Sequence, residues 1–123
     1  MRDILLVGLG GFVGAVLRYA LCGLFQSESS SFPVGTLFVN FTGTLILGVV
    51  VYSAELLDFI SHQMGLFLAI GVLGAFTTMS TFGLEVFKMF EDGNYFSLAV
   101  YIIGTISLIF IAMFIARDLT HFL

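Results

Sequence analysis

The residues of this chain that could do chemistry are neutral hydrogen-bonding groups set in apolar surroundings. In PVGTLFVNFTGTLILGVV (33–50), Thr36, Asn40, Gly43, Thr44 and Leu47 recur at i, i+4, i+7, i+8 and i+11, which is one face of a helix. Asn40 offers two N–H donors and one carbonyl on that face, enough to tie two helices together or to hold a small solute. GVLGAFTTMSTFG (71–83) puts the four hydroxyls of Thr77, Thr78, Ser80 and Thr81 and three glycines within thirteen residues. Such a stretch is poor material for a continuous helix. An interruption would free backbone carbonyls and N–H groups, which an apolar medium tolerates only where protein, water or an ion satisfies them. Broken helices of this kind recur at ion sites. The alternative is a packing helix whose hydroxyls bond back to their own i−4 carbonyls. Phe82 follows these hydroxyls, and its electropositive ring edge could face an anion without trapping it. Ser97, Tyr101, Gly104, Thr105 and Leu108 form another stripe, from which Tyr101 could add a phenolic hydroxyl.

Other polar residues read more plainly. Gly8, Gly10, Gly11 and Gly14 in GGFVGAVLRY and the residues before it suit close helix packing, with Gly10 and Gly14 four apart. Arg18 lies one turn further, where it can snorkel to headgroups or orient polar groups at a pore mouth. Glu85 and Lys88 are spaced i, i+3, so a local ion pair is expected between them. His62 and His121 fall in a loop and a tail without metal-ligand spacing. Cys22 is the single cysteine, which excludes an intramolecular disulfide. No nucleophile–base pair, metal triad or phosphate loop occurs, so an enzyme has no support.

The elements that must position these groups are membrane spans. Of 123 residues, 59% are hydrophobic and 10% charged, and mean hydropathy is +1.14. A soluble domain carries about 25% charged residues, so this chain could not cover a globular surface. Windows at 4–25, 33–54, 64–90 and 95–117 each meet the roughly 20 apolar residues that a spanning helix needs. They predict one four-helix transmembrane domain over 1–123, the first span retained rather than cleaved as a signal. Polar breaks stand at 26–32, 55–63 and 91–94, and Pro33 is well placed to open the second helix. Acidic residues outnumber Lys and Arg eight to four, so nucleic-acid binding lacks electrostatic support. Four spans put Arg2 and Arg117 on one side and Arg18 and Lys88 on the other. That balance gives almost no orienting signal: either one side still wins by position, or chains insert both ways and pair antiparallel.

GGFVGAVLRY, GTLFVNFTGTLILG and GVLGAFTTMSTF, in this order and over the whole length, resemble the Fluc (CrcB) fluoride channels. The resemblance implies a fluoride-selective channel that exports the anion passively and so prevents cytoplasmic fluoride toxicity. It implies an all-α membrane protein with the third helix broken near mid-membrane. The assembly would be an antiparallel, dual-topology homodimer with two pores, in lipid, in a bacterial inner (plasma) membrane. Its pore residues would be Asn40, Met79, Ser80, Thr81, Phe82 and Tyr101, with Arg18 at the vestibule. A structural Na+ at the dimer centre would be held by the backbone carbonyls of Gly74 and Thr77. Two departures stand out: Met79 replaces the family's usual first Phe, and Gly83 replaces a common Ser. Two other classes are weaker fits. A small multidrug exporter needs a deep carboxylate in the first helix, and none follows Asp3. A non-transporting assembly subunit would tolerate Asn40→Ala and Phe82→Ala.

Overall fold

Every element of the computed structural model is helical. It describes residues 1–26, 30–57 and 60–122, so the polar breaks at 26–32 and 55–63 lie partly outside the described residues. The order is α1 (Arg2–Phe25), α2 (Val34–Leu57), α3 (His62–Gly65), a π-helical segment (Leu66–Leu73), α4 (Gly74–Phe76), α5 (Met79–Glu91) and α6 (Tyr95–His121). The stretches at Arg2–Phe25, Val34–Leu56, His62–Glu91 and Tyr95–His121 are each long and apolar enough to cross a membrane. Their outward faces carry Phe12, Tyr19, Phe96 and Phe110, large apolar side chains that water would not favour.

Ends are set by local chemistry. Pro33 does not enter the second helix. Its carbonyl accepts from Leu37 N–H at 3.2 Å, so it caps α2 from outside. Gln26 braces that entry: its amide Nε2 donates to the carbonyls of Ser30 and Phe32, at 3.1 and 3.3 Å. At 91–94 the chain makes a Schellman turn, with Asn94 N–H on Met89 O and Gly93 N–H on Phe90 O. Gly93 supplies the required left-handed backbone at φ 69°, and Asn94 then caps α6 by accepting from Ser97 N–H. The last helix runs four residues beyond the apolar window, through Arg117 and Asp118, which pair at 2.9 Å. His62 is not in a loop but opens α3, behind an N-cap at Ser61.

Packing follows the glycines. α1 lies against the π-helical segment, with Gly10 and Gly14 buried where backbones meet. A Cβ on Gly14 would strike Val72 O, and one on Gly10 would sit 2.9 Å from Gly71 Cα. α2 runs along α6, where Gly48 faces Ala116. The buried cluster of Phe82, Met89 and Tyr101 joins α5 to α6, with Phe32 and Leu37 against it.

Candidate functional site

The third apolar stretch leaves the helix at Thr77 and Thr78. Both have extended backbone, with ψ of 157° and 113°, between α4 and α5. Hydroxyls finish each end. Thr77 Oγ1 donates back to Leu73 O at 3.1 Å, and Thr78 Oγ1 accepts from Thr81 N–H at 3.2 Å as the N-cap of α5. The run of four hydroxyls therefore divides: two stand in the interruption and two, Ser80 and Thr81, lie in the first turn of the next helix.

Asn40 holds the interruption from α2. Its Oδ1 accepts from Thr78 N–H at 2.7 Å and its Nδ2 donates to Thr78 O at 3.1 Å. This reciprocal pair fixes the amide's orientation, because an N–H can only meet oxygen and a C=O can only meet N–H. One Nδ2 hydrogen is spent on Thr78, and the other has no partner among the described residues.

Two carbonyls are left without a donor among the described residues. In a continuing helix Gly74 O would accept from Thr78 N–H and Thr77 O from Thr81 N–H. The first of these donors is held by Asn40 and the second by Thr78 Oγ1. Gly74 and Thr77 are thus left with free acceptors, a donor set that fits a hard cation better than an anion. Among the described residues there is no group of three His, Cys, Asp or Glu side chains that could hold a metal.

Thr78 lines two cavities. One, of about 550 Å³, is walled by Arg18, Cys22, Gln26 and Thr81. The other, of about 200 Å³, is a groove that brings together Asn40, Thr77, Met79, Phe82 and Thr105. Phe82 is 7% exposed, whereas Met79 is 74% exposed and lies on the protomer's outer face. Thr105 Oγ1 is buried without a hydrogen-bond partner. The groove thus has one unspent donor, the second hydrogen of Asn40 Nδ2, in a lining shared with Phe82, while Thr105 Oγ1 is itself buried. Ser80 is set apart: it is exposed, and its Oγ lies 3.4 Å from Thr78 Oγ1.

Tyr101 is fully buried, its ring 5.0 Å from that of Phe82 and edge-on to Phe32 at 5.5 Å. Its hydroxyl donates to Glu85 Oε2 at 2.7 Å, and Thr36 Oγ1 donates to Glu85 Oε1 at 2.7 Å. The expected Glu85–Lys88 ion pair does not form. Two short charge-assisted bonds from neighbouring helices hold the carboxylate inward instead, and the one ion pair among the described residues is Arg117–Asp118. Glu85, Thr36 and Thr105 are the site residues that sequence reasoning did not assign. Spacing sets Thr36 on Asn40's face and Thr105 on Tyr101's stripe without giving either a role, and the partners of Glu85 come from other helices, which spacing does not show.

Four apolar helices, with polar groups gathered at an interruption in the third, define a multi-pass membrane protein. The chain belongs to the CrcB family: residues 5–117 match the model for CrcB-like protein, Camphor Resistance (CrcB). It is 42% identical over 117 residues to "Fluoride-specific ion channel FluC 3" of Methanosarcina barkeri, covering 95% of this chain and 89% of that protein. To "Fluoride-specific ion channel FluC 1" of Methanosarcina acetivorans it is 43% identical over the same shares. A FluC of Oceanobacillus iheyensis is 42% identical over 108 residues, 88% of this chain and 83% of that one.

Proposed function

We propose that this chain is a fluoride-selective channel that lets the anion leave the cell passively and so relieves fluoride toxicity. Family membership and relatives named as fluoride channels support the reading. The observation that carries it on this chain's own residues is the groove, where Asn40 Nδ2 keeps one hydrogen to give in a lining shared with Phe82. Fluoride is small and strongly hydrated, so a pore must replace water's hydrogen bonds with protein donors. Neutral donors do this without the deep well that a ring of arginines would make. The Phe82 edge adds a weak, releasing contact. Met79, Ser80, Thr81 and Tyr101 complete the path in this reading, and Arg18 draws anions into the larger cavity.

The functional unit is an antiparallel, dual-topology homodimer with two pores, in the lipid of a bacterial inner membrane, with the interruption at mid-membrane. One protomer's groove is open on the side where Met79 protrudes, and a second copy would close it. The free carbonyls of Gly74 and Thr77 would hold Na+ at the dimer centre, two from each chain. The ion would offset the negative ends of the interrupted helices.

Passive efflux from proteoliposomes tests the proposal. Fast fluoride release with chloride retained is the expected result, and Met79→Phe should conduct at least as fast as the wild type by restoring a second ring edge. Absence of fluoride release from a folded dimer overturns the function.

A further inference from the structure

Past Tyr101 and Glu85 the structure holds a third polar cavity, of about 160 Å³, between the start of α2, the end of α5 and the cap of α6. Glu85 lies in its wall, together with Ser31, Lys88, Asp92 and Asn94. It thus adjoins the Phe82–Tyr101 contact through a residue that touches both, because Tyr101 donates to the same carboxylate. Glu85 is held there by two hydroxyls, neither of which brings a positive charge. An anion moving beyond Tyr101 would meet Glu85 and then Asp92, two negative groups in succession. Lys88 is the one cation in this lining. It is exposed, and no carboxylate among the described residues pairs with it.

We infer that this cavity belongs to the mouth of the anion path on the face that also carries Arg18, and that Lys88 sets passage through it by offsetting the charges of Glu85 and Asp92. The inference rests on the fluoride reading and deepens it. Its mechanism is local potential rather than ligation: an ammonium on a flexible stem is a mobile point charge that lowers the barrier at a mouth without fixing the ion. Lys88 therefore stays unpaired for a reason, since a tight bond to Glu85 would consume the charge that the ion needs.

The test is fluoride efflux from proteoliposomes at two ionic strengths. At about 0.01 M, where the Debye length is about 30 Å, Lys88→Gln should slow efflux roughly fourfold, the effect of one unit charge at a solvated mouth. At about 1 M, where the length falls to about 3 Å, most of that difference should vanish. Lys88→Arg should regain the rate that Lys88→Gln loses, and Asp92→Asn added to Lys88→Gln should regain part of it. A purely structural role would give neither the salt dependence nor the rescue by Asp92→Asn. If Lys88→Gln matches the wild type at low salt, the inference fails while the channel reading stands. If the wild type carries no fluoride, both fail.

Discussion

At the residue scale, Asn40 clamps Thr78 and, in the proposed channel, would also serve the pore, two roles that ordinary mutagenesis would confuse. Its amide satisfies both backbone groups of Thr78, and its remaining hydrogen is available to the groove. Asn40→Ala would orphan a buried N–H and a buried C=O, at about 1–3 kcal/mol each. Asn40→Asp keeps an acceptor for Thr78 N–H but sets a carboxylate oxygen against Thr78 O. It also removes the spare donor and adds a negative charge. We expect Asn40→Asp to lose the fluoride flux, and Asn40→Ala to lose flux and thermal stability together. Unfolding temperature in detergent and efflux rate, measured on the same preparations, check this. Asn40→Ala with unchanged stability would show that the clamp on Thr78 carries no weight.

At the element scale, the third stretch decides how α1 packs. The π-helical turns from Leu66 to Leu73 bring backbone against the Gly10 and Gly14 face of α1, and the contacts are with main-chain atoms that cannot rotate away. Gly14→Ala should cost about 1–3 kcal/mol, the usual range for overpacking. Gly83, inside α5, has nothing within 4 Å of an added Cβ, so Gly83→Ala should be neutral or stabilising by about 0.5–1 kcal/mol. Thermal unfolding of the two variants side by side checks the pair, and a Gly14→Ala protein as stable as the wild type would refute the packing argument.

The same elements mark what was legible beforehand. The four apolar stretches, the glycine face of α1 and the weak helix around 71–83 all follow from residue type and spacing. The π-helical segment does not, because LFLAIGVL is uniformly apolar and its winding is chosen by tertiary fit against α1. Nor does the fate of Glu85. An i, i+3 neighbour on its own helix is visible in one dimension, whereas Thr36 and Tyr101 arrive from 49 and 16 residues away.

At the scale of the whole molecule, the proposed antiparallel dimer would answer several loose ends at once. Cations are balanced across the two faces, Met79 protrudes beside an open groove, and each chain offers two free carbonyls, too few to satisfy a cation alone. Two parallel copies would place corresponding grooves at the same depth but point both interruptions the same way. Antiparallel copies related by a two-fold axis in the membrane plane bring the interruptions together and let each groove be covered by its neighbour. Insertion in both orientations is then required of one sequence, and a two-against-two cation count permits it. With Cys22 replaced by Ser and a single cysteine placed after residue 122, a membrane-impermeant maleimide applied to intact cells should label roughly half of the chains. The rest should react only once the membrane is opened. Labelling of all chains, or of none, from outside would mean a single orientation. The open groove and the paired carbonyls would then need a different partner.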